Sequence, residues 1–175
     1  MRYPKRWIYR IGGAIAGVSI SAATLVAYHE AIRPDSWAWS LAGAAAATAI
    51  LGSVNLAMIL GHWYLVVRGM PIEPLKRLSV SLLASSIARV ILVIVVLGVA
   101  SEAELYRIAV AQGIFFWMRV GWGLVGPLVL FPMIWGTVKI RSTMAATGIL
   151  YVAVVAVVIG EVLSTYLSAL MNLPL

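Results

Sequence analysis

Residues 151–167 read YVAVVAVVIGEVLSTYL, a run of Val, Ala, Ile and Leu that holds one carboxylate, Glu161. In water a helix could turn a single polar residue toward solvent. The rest of the chain removes that escape. Of its 175 residues 63% are hydrophobic and 11% are charged, whereas a soluble domain is roughly half apolar and about a quarter charged. The composition is that of an integral membrane protein, and Glu161 is expected inside the hydrocarbon.

Outward from that run, five apolar stretches can be read, over about 11–29, 38–67, 79–101, 106–138 and 143–170. Each is near or above the ~20 residues a helix needs to cross ~30 Å of hydrocarbon. Open strands would leave backbone groups without partners in lipid, and a closed barrel would show alternating polarity, which these runs lack. The expected fold is therefore all-α, a single-domain integral membrane bundle of five transmembrane helices. Short linkers imply antiparallel neighbours. The run AGAAAATA, with Gly52, offers small residues for close helix packing. Pro127 and Pro132 lead us to expect a kink or a local break in the fourth helix.

A net charge of +7 invites a nucleic-acid reading, but the basic residues sit in alternate connections. Arg2, Lys5, Arg6 and Arg10 precede the first stretch; Arg68, Lys76 and Arg77 follow the second; Lys139 and Arg141 follow the fourth. The other connections mix Arg33 and Arg107 with Glu30, Asp35, Glu102 and Glu104. By the positive-inside rule the N-terminus is expected in the cytoplasm and the C-terminus outside. Lipid headgroups suffice as partners for these loops, and no nucleic acid is expected. The first stretch reads as a retained anchor, since YHEAIRPDSW (28–37) offers no small-residue cleavage site. With no cysteine, disulfides, thiolate zinc sites, Cys-bound iron–sulfur clusters and covalent c-type haem are excluded within this chain.

Polar positions can be placed by depth, at 1.5 Å per helical residue from the basic ends. His29 lies about 28 Å from Arg10, Arg119 about 30 Å from Lys139, and Glu161 about 30 Å from Arg141. These three are expected at one level, at the outer edge of the hydrocarbon, with Arg119 paired to Glu161. Tyr28 and Trp117 would add aromatic contacts to an outer pocket. Arg89, about 18 Å from Arg77, is expected near the midplane, and His62 about 9 Å from Arg68, with Asn55 on the same stripe. Asn55, His62 and Arg89 are thus candidates for an intramembrane polar path or proton transfer. His29 and His62 lie toward opposite faces, so one haem within the chain is disfavoured; a histidine from a partner chain could still complete a site. No nucleotide loop, metal motif or catalytic triad is present, and neither a metal site nor a catalytic residue is assigned.

An aromatic slot beside His, Arg and carboxylate groups suits a quinone, menaquinone or ubiquinone, whose carbonyls need donors and whose reduction consumes protons. Arg119 in its Gly/Pro-rich helix, followed by GILYVAVVAVVIGEVLSTYL (148–167), resembles the last two helices of membrane-anchor subunits in the polysulfide/DMSO reductase family. Small membrane subunits of uptake hydrogenases are similar in size and composition. The resemblance implies a membrane subunit of a respiratory oxidoreductase in a prokaryotic inner membrane. Such a subunit anchors redox partners in a hetero-oligomeric complex and contributes to an outer-side quinone site. A small oligomeric transporter or channel, and a purely structural assembly subunit, remain open.

Overall fold

The structure is a computed structural model that describes residues 22–23, 25–26, 28–30, 37–67 and 69–175. All regular structure among them is helical. After the helical residues within 22–30 come α1 (Trp37–Val66), α2 (Glu73–Val99), α3 (Glu102–Tyr106), π1 (Arg107–Ala111), α4 (Gly113–Met118), π2 (Arg119–Val125), α5 (Gly126–Lys139) and α6 (Thr143–Met171). Four continuous helices, Trp37–Val66, Glu73–Val99, Gly113–Lys139 and Thr143–Met171, are long and apolar enough to cross a membrane. The first expected crossing, 11–29, falls mostly outside the described residues, as do Arg2, Lys5, Arg6, Arg10, Arg33, Asp35 and Arg68.

The surface argues for lipid as the solvent. Val80, Ile87, Ile91, Ile94, Val155 and Val162 are exposed, while Ser79, Ser85, Ser86, Arg89, Arg119, Glu161, Ser164 and Ser168 are buried. In water this distribution would leave apolar area hydrated and isolate polar groups in the core, at a cost on both counts. In hydrocarbon the apolar exterior costs nothing and the polar groups pair internally.

Two helices carry the core on a regular seam. In α2 the buried positions include 75, 79, 82, 86, 89, 93 and 96; in α6 they include 146, 150, 153, 157, 160, 164, 167 and 171. Alternating steps of four and three give a 3.5-residue period, the spacing that keeps one face against a neighbour. α1 packs on α2 and α6, and α6 also takes π2 and α5. Small residues set the closest crossings. A side chain at Gly61 would meet the Thr147 hydroxyl, and Gly123 of π2 lies directly on Gly160 of α6, where a Cβ on either would strike the other's backbone.

One sequence expectation is corrected here and another takes a definite form. The third crossing begins at Glu73 rather than 79, because Pro74 fits the first helical turn, where no N–H bond is needed. The fourth is interrupted by π1 and Gln112 (φ −108°, ψ 22°), far from its prolines, and by π2, which ends two residues before Pro127, while Pro132 stays inside α5. Pro127 opens α5 straight after π2, so the wider turns upstream absorb its missing donor.

Candidate functional site

Midway along the seam, three charged side chains meet. Arg89 of α2 is fully buried, Arg119 of π2 is 1% exposed and Glu161 of α6 is 6% exposed. Arg89 grips the carboxylate in bidentate fashion, with Nε donating to Oε1 at 3.1 Å and Nη2 to Oε2 at 2.9 Å. Arg119 Nη2 donates to Oε1 at 3.2 Å. Glu161 therefore bridges two guanidiniums from two other helical segments. Charge-assisted forks of this kind are the strong members of the hydrogen-bond class. Removing one member leaves an uncompensated charge in a low dielectric, which costs about 3–5 kcal/mol.

The site extends beyond the carboxylate. Arg89 Nη2 also donates to Ser164 Oγ at 2.6 Å and to the Leu175 carbonyl at 3.3 Å. Asn172 adopts left-handed geometry (φ 56°), which turns the following residues back over the bundle. The Leu175 N–H donates to Ser168 Oγ at 2.9 Å, and Ser164 donates to the Leu175 carbonyl. Several donors remain unspent: Arg89 Nη1, Arg119 Nε and Nη1, and the Tyr28 hydroxyl are buried without a partner among the described residues. Tyr28 lies beside Arg89 and Ser168 and seats its ring on Gly43, where a Cβ would collide with it.

The depth arithmetic placed Arg119 and Glu161 together, and they touch. It placed Arg89 too far inside, and the reason is the origin of the ruler. Arg77 lies within α2, four residues past its start at Glu73, whereas Arg141 lies in the turn before α6. From the helix starts, Arg89 is about 24 Å along and Glu161 about 27 Å, a gap that two long side chains close. The seam spacing of α2 carried the missed signal, since position 89 belongs to the buried set.

Other expected site residues lie elsewhere. His29 Nδ1 is 2.7 Å from Ser40 Oγ, and its ring stacks on Trp37 with centroids 3.6 Å apart; its hydrogen bond is to α1 and not to Arg119 or Glu161. Trp117 is 63% exposed and meets Phe116 edge-on, so it faces outward. Asn55 donates to the Leu51 carbonyl of its own helix at 2.8 Å, His62 is exposed, and Arg89 is spent on α6. The expected polar path through Asn55, His62 and Arg89 is therefore not assembled. His29 and His62 sit near opposite ends of α1, about 37 Å apart along its axis from Trp37 to His62. Among the described residues no group of three or more His, Cys, Asp or Glu converges.

Beside the triad, an apolar groove of about 480 Å³ opens along α6, lined by Leu51, Val158, Glu161, Val162, Thr165 and Tyr166. Val158 and Val162 are exposed, so this groove faces the lipid. Glu161 thus contributes both to the ionic core and to a wall that a bilayer-soluble molecule could reach. Compared with protein families, curated proteins and solved structures, the chain finds no match. Fold and site define its class by themselves: an all-helical, multi-pass membrane protein with an ion triad in its core.

Proposed function

We propose that this chain is a membrane subunit of a respiratory oxidoreductase, that it anchors redox-active partner subunits, and that its Glu161 groove contributes to an outer-side quinone site. In this reading it makes five crossings in a prokaryotic inner membrane, with the N-terminus in the cytoplasm. One observation supports the functional part: residue Glu161, whose carboxylate joins the buried Arg89–Glu161–Arg119 cluster, also lines a lipid-facing apolar groove. A structural ion pair has no need of such an opening.

The residues present fit the head of a quinone, which supplies two-electron redox chemistry when bound. Its carbonyl oxygens are acceptors; the unpartnered donors of Arg119, Arg89 and Tyr28 are buried and are not on the groove's lining, whose hydroxyls are those of Thr165 and Tyr166. Its apolar body matches the walls of Leu51, Val158 and Val162. The bidentate Arg89 fixes the orientation of Glu161. His29 and Trp117, engaged with α1 and turned outward, are left out of the inner wall.

The test is Arg119→Lys in the purified complex, because it keeps the charge but removes the guanidinium and its unpartnered N–H groups. Binding of a short-chain quinone analogue, read by tryptophan quenching, should weaken about tenfold or more, the value of one hydrogen bond to a charged group. Thermal unfolding should shift little. Parallel loss of binding and of complex assembly would mean that the cluster only fixes the bundle.

A further inference from the structure

At the opposite end of the bundle from the α6 tail, a second groove of about 410 Å³ runs between the first turns of α2 and the last turns of α5. Its upper rim carries Lys76, Arg77 and Glu73, its side is the indole of Trp135, and its floor includes Val80 and Ala84. Lys76 is held by Glu73 at 3.1 Å. Arg77 is exposed, and no carboxylate among the described residues pairs with it. The rim therefore keeps one net positive charge. From Arg77 to Ala84 the floor descends about 10 Å along the helix axis, past the exposed Val80 and Ala84. Trp135 lies four residues before Lys139 at the end of α5, the level at which an amphipathic indole prefers the headgroup boundary.

We propose that this groove is a binding site for an anionic phospholipid, with its phosphate on Arg77 and Lys76, its glycerol region against Trp135 and one acyl chain along Val80 and Ala84. Charge complementarity selects an anionic headgroup over a zwitterionic one, because one cation of the rim has no counter-ion among the described residues. The apolar floor selects a lipid over free phosphate, which would have no use for it. The site is independent of the Glu161 cluster.

The experiment uses the full chain purified in mild detergent with equal phosphatidylglycerol and phosphatidylcholine, and reads the bound ratio by native mass spectrometry. Arg77→Gln should lower the preference for phosphatidylglycerol about fivefold, and Lys76→Gln with Arg77→Gln about 25-fold, from about 1 kcal/mol per basic residue at a membrane surface. Lys139→Gln with Arg141→Gln is the charge-matched control and should leave most of the preference. Ala84→Trp, which fills the floor without touching charge, should reduce total lipid retained. The site is refuted by an unchanged ratio in the Lys76/Arg77 pair, by equal loss in the control, by an inert Ala84→Trp, or by displacement of the lipid with millimolar inorganic phosphate.

Discussion

The bundle has two cores, and they are built on different physics. Toward the end carrying Lys76 and Lys139, residues such as Ile50, Leu75, Leu82, Ile134, Leu150 and Val157 form a dry apolar cluster between regular α-helices. Toward the other end, Val96, Ile108, Phe116, Leu167, Met171 and Leu175 form a smaller cluster, beside which the Arg89–Glu161–Arg119 triad lies buried. The apolar half needs only shape. The charged half needs donors and acceptors brought to fixed points, and there the fourth crossing leaves α geometry, with π2 beginning at Arg119 itself. The contrast teaches that π2 is bounded by a buried charge at Arg119 and by Pro127 just beyond its end, whereas π1 begins at the exposed Arg107 and contains no buried charge.

The contrast breaks most sharply at Glu161. Glu161→Gln should destabilise the protein by about 3–5 kcal/mol, since it strands two guanidiniums in the core; unfolding in mixed detergent micelles reads this, and a near-neutral result would show that the triad is hydrated. In the apolar half Leu150→Ala, at a fully buried position, should cost about 2–5 kcal/mol through the cavity it leaves. That loss should come without any change in quinone-analogue binding, and a coupled change would erase the division between the halves.

Smaller effects sharpen it. Gly160→Ala drives a methyl into the Gly123 backbone and should cost about 1–3 kcal/mol by overpacking. Gly52→Ala meets nothing within 4 Å and should be neutral or stabilising, up to about 1 kcal/mol from helix propensity. The smallest effect lies outside the membrane. Ser101 caps α3 reciprocally with Glu104, accepting from the Glu104 N–H while its own N–H and hydroxyl donate to the carboxylate. These bonds hold the Glu104 carboxyl below its usual range. A lowered folded-state pKa gives a contribution that is present above the unfolded value and lost as pH falls through the folded one. Amide protection over 101–106, taken relative to the intrinsic exchange rate at each pH, should thus fall under acid, and Ser101→Ala should remove most of that pH response.

Much of this was legible in the linear chain, for physical reasons that are local. Apolar run lengths reported helices, because lipid permits no unpaired backbone, and the meeting of Arg119 with Glu161 followed from counting residues along neighbouring helices. Arg89 was misplaced because the count began from a basic residue inside a helix instead of from the helix start. The local break expected at the prolines took the form of π2, just before Pro127, whereas π1 was not foreseen, since no proline or glycine marks residues 107–111. His29 was grouped by depth alone, and depth carries no azimuth; its neighbour turned out to be Ser40.

By itself, then, the amino-acid sequence determined the solvent, the helical class and the shared height of Arg119 and Glu161, because these depend on composition and on rise per residue. Which groups at a given height touch was decided only by the tertiary structure. Helix rotation, the Gly123–Gly160 crossing and the fold-back at Asn172 set directions around each axis, and they turned Arg89 onto Glu161. Side-chain contacts depend on angle as well as distance, and angle is fixed only when helices pack.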